Sequence, residues 1–365
     1  MAPQSIDAVD AAKRGRPAVE HIGIDLGRAE SQVSILTEAG ELVGQRIRTE
    51  RDRFIKVLGN RPRARVLIEA STESEWVARC LEELGHEVIV ADPNYAPMYA
   101  QRSRRVKTDR RDAEALAEAC RLGAYRPAHR ASDRQRHVRA FLGVRESLVR
   151  TRVRWIVLVR SVLRREGPRV RDGQTSSFAQ RVGELELPRH LREEIAPLLA
   201  LLGPLNKQIA SLDRQLVEIA RKDEVVKRLM TVPGVGPVIA VCFVATLDRV
   251  DRFRGSHQVE SYLGLVPREW SSSEIQRRGR ITKAGNTRMR WLLVEAARCV
   301  MRGKKRPETA ALREWGDRIA QRRGKSIAAV AVARRMAGVL YAIWRDESVY
   351  EPEKLRGRIS AARAA

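Results

Sequence analysis

The stretch "HIGIDLGRAESQVSILTEAGELV", residues 21–43, decides the fold class of the N-terminal part of this chain. Apolar side chains alternate with small or polar ones at Ile22, Ile24 and Leu26, and the segment 32–36 repeats this β-like pattern. A Glu-Ala-Gly turn then precedes a further run of the same kind. The stretch therefore predicts three strands in succession, with an aspartate, Asp25, in the middle of the first.

Strands and helices alternate beyond this stretch. "RVLIEAS", residues 65–71, is a short apolar strand that ends in Glu69, and residues 73–84 have a helical pattern. "EVIVADP", residues 87–93, is another strand that a proline stops. Strands that alternate with helices indicate an α/β layer fold for this part of the chain.

From about residue 107 the pattern becomes helical, and two long apolar seams follow. The first seam combines two heptad series on one helix, namely Phe141, Leu148, Trp155 and Val162 with Leu142, Val149, Ile156 and Leu163. The second runs with 4-3-4-3 spacing from Leu198 to Ile219, and Gly203–Pro204 is expected to break or kink it. The two stretches predict either an antiparallel hairpin or a dimer seam.

Charge is the dominant feature of the composition. The 365 residues include 70 Lys+Arg and 45 Asp+Glu, a formal charge of +25, which favours polyanions as partners. A base composition of the genome that inflates Arg and Ala is the alternative explanation. The length suits two or three domains, and 43% hydrophobic residues are enough for real cores.

The four cysteines lie far apart and form no CxxC or Cys/His cluster, which argues against a zinc site and against a disulfide framework. We find no stretch of membrane-spanning length and no signal-peptide apolar region, so we expect no membrane association and a cytoplasmic protein. Residues 1–19 are rich in Ala, Arg and Pro and are expected to be a disordered basic tail.

Four carboxylates have an order that suits metal chemistry. Asp25 lies in the first strand, Glu69 closes a later strand, and Asp109 and Asp112 lie three apart at the start of a predicted helix. Oxygen ligands of this kind hold two hard cations about 4 Å apart, which activate water and stabilise a leaving phosphate oxygen. Each acid also has an alternative explanation on its own. Asp109 and Asp112 could stabilise the helix N-terminus through the helix dipole, Asp25 could be a turn residue at a strand end, and Glu69 could form an ion pair with an arginine. The order of the four in a basic chain favours the metal site.

One competing class shares the first motif. "GIDLG" also opens the actin-like and sugar-kinase ATPases, whose first strand meets a phosphate. Those proteins need further Gly-rich phosphate and adenosine loops downstream, and the sequence does not contain them. The Arg-rich helices do not suit that fold either.

"VPGVGPVIA", residues 232–240, predicts a tight turn before an apolar helix. Gly234 and Gly236 would let exposed amides bind a DNA phosphate at the helix N-terminus, as in helix-hairpin-helix modules. An ordinary glycine turn between helices is the alternative.

"WSSSEIQRRGRITKAGN", residues 270–286, has the composition of a polar loop and places three serines before a basic run. Guanidiniums around a scissile phosphate could support a serine nucleophile. The stretch contains no histidine, so a Ser-His-Asp arrangement is not supported. By itself it favours a phosphate cradle or solvated filler over a nucleophile.

The order of these motifs closely resembles the transposases of the insertion sequence 110 family. The resemblance rests on "GIDLG", "IEAS", "KTDRRDAEALA", the basic coiled-coil region, "VPGVGPVIA" and "YLGLVPREWSSSEIQRRGRITKAGNTRMRWLLVEAA". It runs from about His21 to about Trp344. These are DEDD transposases, relatives of the Piv invertase, and they include bridge-RNA-guided recombinases.

The resemblance implies a RuvC-like (RNase H-like) N-terminal domain, in which Asp25, Glu69, Asp109 and Asp112 are the DEDD ligands of Mg²⁺. It also implies a C-terminal domain with a catalytic serine. The usual Tyr-Ser-Ser-Gly pattern aligns with residues 270–273, which identifies Ser272 as the nucleophile and places Ser273 where glycine is usual. The implied partners are donor and target DNA, a noncoding bridge RNA, and further copies of the chain in a dimer of dimers. The expected nucleic-acid contacts are Lys107, Gly234, Gly236, Arg277, Arg278, Arg280 and Lys283.

The resulting domain prediction has five parts: a basic tail (1–20), a RuvC-like domain (21–130), a helical coiled-coil insertion (131–225), a mainly α transposase domain with a helix-hairpin-helix-like turn (226–346), and a polar tail (347–365). The predicted function is a DNA transposase or recombinase, RNA-guided, with serine chemistry and a Mg²⁺ site. The alternative is a Mg²⁺-dependent, structure-specific nuclease without serine chemistry, like a junction resolvase. A non-catalytic nucleic-acid binder is a third hypothesis.

Overall fold

Strand β1 (His21–Leu26) is the central strand of a five-stranded sheet with the order β3-β2-β1-β4-β5. Strand β2 is antiparallel to both of its neighbours, β1 and β3. Strand β4 is parallel to β1, and β5 is parallel to β4. The other strands are β2 (Glu30–Leu36), β3 (Leu42–Arg48), β4 (Arg65–Glu69) and β5 (Glu87–Ala91). The predicted α/β layer character of this region is confirmed.

Helices cover both faces of this sheet. They are α1 (Arg51–Leu58), α2 (Ser74–Glu83) and α3 (Asp109–Leu122). Because side chains alternate along a strand, Ile22 and Ile24 of β1 pack with Phe54 of α1 and Leu81 of α2 in one buried cluster. Leu67, Leu116 and Cys120 form a second cluster on the α3 side.

Gly23 explains how closely α3 approaches β1. A Cβ atom at Gly23 would lie 2.2 Å from the carbonyl oxygen of Ala113 and 2.2 Å from the amide nitrogen of Ala117. Only a residue without a side chain permits this approach. The first turn of α3 is thereby held close to the carboxyl end of β1.

The computed structural model describes residues 20–100, 108–271, 276–304 and 306–354, and these fall into two compact units with the boundary between Arg130 and Ala131. The second unit is mainly helical. Its elements are α4 (Asp133–Arg165), α5 (Phe178–Gly183), α6 (Arg189–Lys222), α7 (Glu224–Leu229), α8 (Pro237–Leu247), α9 (Ser256–Tyr262), β6 (Pro267–Ser271), β7 (Gln276–Ile281), α10 (Thr287–Arg302), α11 (Pro307–Arg323) and α12 (Lys325–Arg345).

The long helices α4 and α6 pack against each other and run antiparallel. Arg145 of α4 contacts Asp213 of α6 at 2.6 Å, and further along α4 Arg152 contacts Asn206 at 3.2 Å. Seam residues of both helices are buried together, among them Ile156, Leu163, Leu202 and Ile209. The helix α6 is not broken at Gly203–Pro204 but continues through Pro197 and Pro204. Apolar packing against α4 outweighs the lost backbone hydrogen bonds there.

The expectation that no stretch reaches membrane-spanning length is wrong, since α6 and α12 are long and apolar enough by length and composition. Both helices nevertheless bury residues inside the protein. Met336, Leu340 and Tyr341 of α12 belong to the main core of the second unit, together with Phe243 of α8 and Leu293 of α10. Core helices of ordinary proteins pass the same test of length and composition, and α12 packs as such a helix, whereas α6 buries one face against α4.

Candidate functional site

Three of the four predicted carboxylates come together at one edge of the five-stranded sheet. Asp25 and Glu69 directly follow Ile24 and Ile68, which are register partners on the adjacent parallel strands β1 and β4. Asp112 lies in the first turn of α3, which Gly23 brings close to β1. Its side chain is buried, with the residue 6% exposed. The edge thus combines carboxylates from two strands and one helix.

Tyr99 lies near these carboxylates and contacts one of them directly. It ends a short 3₁₀ turn (Ala96–Tyr99), and its hydroxyl donates a hydrogen bond to Oε2 of Glu69. Burial raises the pKa of Tyr99 well above its ordinary value, and the hydrogen bond to Glu69 and the charges of Glu69, Asp112 and Asp25 raise it further. All three acids therefore lie close enough to the Tyr99 hydroxyl to affect its pKa. Tyr99 was not predictable as a site residue from the sequence, because it lies in an irregular segment 30 residues from Glu69.

Asp109 has a different environment from Asp112, although both lie in the first turn of α3. Asp109 is exposed, whereas Asp112 is buried. The i,i+3 spacing predicted that both carboxylates would aim at one point. The two carboxylates therefore differ in burial, and the assignment of Asp109 as the fourth ligand stays a prediction.

The donor chemistry of the cluster suits a hard divalent cation, which carboxylate oxygens prefer and which neutralises the repulsion among like charges. In the part of the chain that the structure describes, no three His, Cys, Asp or Glu side chains are arranged to hold one metal ion. Glu69 is bonded to the Tyr99 hydroxyl instead. Asp25, Glu69 and Asp112 fit a divalent ion by ligand type.

The predicted glycine turn lies between α7 and α8 in the second unit. Gly234 has a φ of +81°, and a Cβ there would lie 3.0 Å from the carbonyl oxygen of Ala296 in α10. Gly236 is the N-cap of α8, and space around it is open. The turn borders a cavity of about 420 Å³ whose lining includes the exposed Cys299 and the cations Lys304 and Arg306.

The serine-containing stretch is not simply a loop, because β6 and β7 form an antiparallel hairpin around it. The backbone of Arg277 pairs with Trp270, and that of Arg278 with Glu269. The prediction of a loop is wrong for residues 276–281, since backbone pairing with β6 does not require apolar side chains. Arg280 is exposed on β7, and Lys283 follows it exposed with a φ of +58°.

Several predicted site residues lie outside the described residues. Ser272 and Ser273 fall in the connection between β6 and β7, and Lys107 precedes α3. The structure describes the ends of the hairpin around the two serines and the start of the helix after Lys107.

The base of the hairpin is held by a buried arginine. Arg290 of α10 is 8% exposed, and its guanidinium donates to the carbonyl oxygens of Leu263 (3.1 Å), Ala284 (2.7 Å) and Gly285 (3.4 Å) and to the hydroxyl of Thr287 (3.1 Å). The chain before β6 and the chain after β7 are thereby joined. Arg290 lies on the buried face of α10, one turn before Leu293, and that position was the available signal in the sequence.

Two backbone segments cross closely at the same base. Gly264 and Gly285 have φ values of +69° and +72°. A Cβ at Gly264 would lie 2.2 Å from the carbonyl oxygen of Ala284, and one at Gly285 would lie 1.9 Å from that of Tyr262. The hairpin that carries the serines therefore emerges from a tightly fixed crossing.

Comparison with known proteins shows which family has this architecture. A model of the DEDD transposases of the IS110 group matches residues 22–168, and the transposase IS116/IS110/IS902 family matches residues 226–313. A probable family 20 transposase of Pseudomonas aeruginosa is 33% identical over 340 residues, 92% of this chain and 99% of the relative. The chain belongs to the IS110/IS116/IS902 family of transposases. It is thus a DNA transposase, and its substrate is DNA.

Other transposases of this family are similar over nearly their whole length. The transposase for insertion sequence element IS1111A of Coxiella burnetii is 26% identical over 349 residues, 93% of each chain. The transposase for IS1328 of Yersinia enterocolitica is 27% identical over 336 residues, 92% of this chain and 99% of the relative. The DEDD domain implies a divalent-metal-dependent, nuclease-like site, and the acid cluster lies within the region that this model matches.

Proposed function

We propose that this transposase cuts and rejoins DNA through Ser272, with Asp25, Glu69 and Asp112 as ligands of Mg²⁺ and Asp109 as the fourth acid of the set. The observation that carries the proposal is the placement of Asp25 and Glu69 at the ends of the adjacent parallel strands β1 and β4, beside the buried Asp112 of α3. The strand order β3-β2-β1-β4-β5, with two antiparallel pairings (β3·β2 and β2·β1) and two parallel pairings (β1·β4 and β4·β5), supports a RuvC-like fold. Bound Mg²⁺ would neutralise charge that develops on the phosphate oxygens.

The proposed chemical step is a phosphoryl transfer to serine. The hydroxyl oxygen of Ser272 forms a bond to phosphorus, and the bond between that phosphorus and one deoxyribose oxygen breaks. The serine proton ends on the leaving oxygen, so the products are a phosphoserine ester and a free DNA hydroxyl. Attack by a DNA hydroxyl on the ester reverses the step and releases the serine, which conserves the bond for rejoining.

The hairpin supports this role by its construction. Arg277, Arg278, Arg280 and Lys283 follow the serines on β7 and just after it, and cations near a scissile phosphate stabilise the transition state. Arg290 and the glycine crossing fix the base from which the serines extend. We propose that the glycine turn at Gly234 and Gly236, and Lys107 before α3, contact the DNA backbone elsewhere.

The remaining parts of the proposal concern organisation and partners. We propose domains at 21–130, 131–225 and 226–346 with tails at 1–20 and 347–365, and a coiled-coil role for the antiparallel helices α4 and α6. A bridge RNA would pair with donor and target DNA, and the protein would act in the cytoplasm as a dimer of dimers. The basic charge of +25 supports nucleic-acid partners of both kinds.

The deciding experiment is capture of a covalent intermediate. Radiolabelled element-end DNA is incubated with the protein and Mg²⁺, and the products are run on a denaturing gel and mapped by mass spectrometry. We expect a protein–DNA adduct at Ser272 that is lost in Ser272→Ala, with Ser271→Ala and Ser273→Ala as matched controls. Cleavage with free DNA ends and no adduct would instead establish the metal-dependent nuclease.

A further inference from the structure

A second cavity, of about 520 Å³, lies between α10, α11 and α12, and we call it the α10–α12 cavity. Its lining is drawn from all three helices, namely Arg298, Met301 and Arg302 of α10, Arg313, Asp317 and Ala320 of α11, and Lys325, Ser326 and Ala329 of α12. It lies on a different side of α10 from the cavity at the glycine turn, which the adjacent residues Cys299, Val300 and Gly303 line.

The α10–α12 cavity carries a surplus of positive charge. Four cationic side chains line it against one carboxylate, Asp317. Arg298 is paired with Glu295, and Arg313 lies 3.8 Å from Asp317. Arg302 and Lys325 are exposed, and neither has an ion-pair partner among the residues that the structure describes. Two of the four charges are therefore available to an anion.

Two polar features point to an oxygen-rich ligand. The Nε atom of Arg313 is buried without a hydrogen-bond acceptor in the described part of the chain; Oδ2 of Asp317 lies 3.8 Å from it, and Nη1 of the same guanidinium donates to the carbonyl oxygen of Gly303. A buried donor of this kind costs free energy unless an acceptor reaches it. In addition, the cavity receives Lys325 and Ser326, the first two residues of α12, and no side chain caps this helix N-terminus at Gly324. Uncapped first-turn amides favour an anion.

We infer that the α10–α12 cavity binds a backbone phosphate of duplex DNA. Guanidinium groups match phosphate oxygens with paired N–H donors, and Lys325 and the hydroxyl of Ser326 complete a set suited to a phosphodiester. DNA is chosen as the source because DNA is the substrate of the family. The inference does not depend on Ser272 or on the metal site, and it adds a sequence-independent contact that positions the duplex.

The test measures binding of the full-length protein to a fluorescent 40-base-pair duplex of arbitrary sequence, over a series of salt concentrations. The probe variant is Arg302→Gln/Lys325→Gln, which removes the two unpaired cations. We expect binding to weaken roughly tenfold and the slope of log K against log salt to become shallower by about one to two. The assay requires no DNA cleavage, which separates this result from failure of the serine proposal.

The matched control is Arg221→Gln/Lys222→Gln at the end of α6, which removes the same charge from two exposed residues. An equal loss in this control would show that only net charge matters and would overturn the inference. A loss confined to a single-stranded RNA probe of equal length would overturn the assignment to DNA. Lys325→Gln alone, at an exposed position, provides a second variant, and its slope should fall by about one.

Discussion

The guanidinium of Arg290 donates a hydrogen bond to the carbonyl oxygen of Ala284 at 2.7 Å, six residues earlier in the chain. The same group also bonds the carbonyl oxygen of Leu263, so one buried side chain fixes both ends of the β6–β7 hairpin. The organisation of the serine hairpin therefore depends on a residue outside it.

Replacement of Arg290 tests this relationship. Arg290→Met should destabilise the protein by about 2–4 kcal/mol, because it removes a donor from the buried carbonyl group of Leu263 and from the part-buried ones of Ala284 and Gly285. Urea unfolding followed by circular dichroism measures the change. Arg280→Gln, at an exposed position on β7, serves as the control and should change stability by less than about 0.5 kcal/mol. Equal effects of the two substitutions would contradict the role of Arg290 in holding the base of the β6–β7 hairpin.

The ion pair between Glu146 of α4 and Arg288 of α10 connects the long helix to the helix that follows the hairpin. Its atoms lie 2.8 Å apart, and the side chains are 19% and 15% exposed. A double-mutant cycle with Glu146→Gln and Arg288→Gln should give a coupling free energy of about 1–2 kcal/mol. The exposed pair Arg189–Glu193 is the comparison and should give about 0.3–0.5 kcal/mol. Additive effects at Glu146 and Arg288 would show that the pair is not coupled.

Tyr99 orients Glu69 at the acid cluster, so we expect Tyr99→Phe to weaken binding of a divalent ion. Loss of a hydrogen bond to a metal ligand costs roughly tenfold or more in affinity. Titration of the full-length protein with Mn²⁺, followed by calorimetry, gives the affinity without any requirement for activity. Tyr95→Phe is a matched control nearby in the chain. Unchanged or tighter binding in Tyr99→Phe would show that the hydroxyl competes with the ion.

Gly23 controls the distance between β1 and α3. Gly23→Ala places a Cβ about 2.2 Å from two backbone atoms of α3, so α3 must shift away from the strand. We expect a loss of about 1–3 kcal/mol in stability and weaker metal binding, because Asp112 moves with the helix. Gly44→Ala on β3 is the control, since its Cβ would find only the Gln32 side chain at 3.7 Å. A stability as high as that of Gly44→Ala would contradict the close packing.

The four cysteines, all free thiols, should differ sharply in reactivity at pH 8. Burial raises the pKa of Cys120 to about 12 and also raises that of Cys242 and Cys80, so little thiolate is present at these buried sites. Cys299 is exposed. Iodoacetamide should label Cys299 in the native protein and all four thiols in urea, as measured by mass spectrometry.

The same reaction reports on the cavity at the glycine turn, which Cys299 lines. If DNA contacts the turn as proposed, saturating duplex should slow alkylation of Cys299 severalfold. An equal rate with and without DNA would argue against a contact there.

Local pattern predicted the strands of the sheet well, since alternating apolar residues such as Ile22 and Ile24 depend on burial of one strand face. It failed where long-range contacts decide. The i,i+3 rule could not show that Asp112 is buried while Asp109 is exposed, and a charged stretch with no apolar pattern gave no sign of β7. Proline rules predicted a break or a kink at Gly203–Pro204, and α6, packed against α4, continues through Pro204 without a break.

The sequence by itself determined the family, the α/β sheet, the candidate acids and the basic charge. These features depend on composition, on local periodicity and on the order of motifs along the chain, none of which requires knowledge of tertiary contacts. Only the tertiary structure decided that Tyr99 lies among the acids and that Arg290 locks the serine hairpin. It also decided that cations from α10, α11 and α12 line one cavity. These relationships join residues distant in the chain, and packing of helices and strands brings them together.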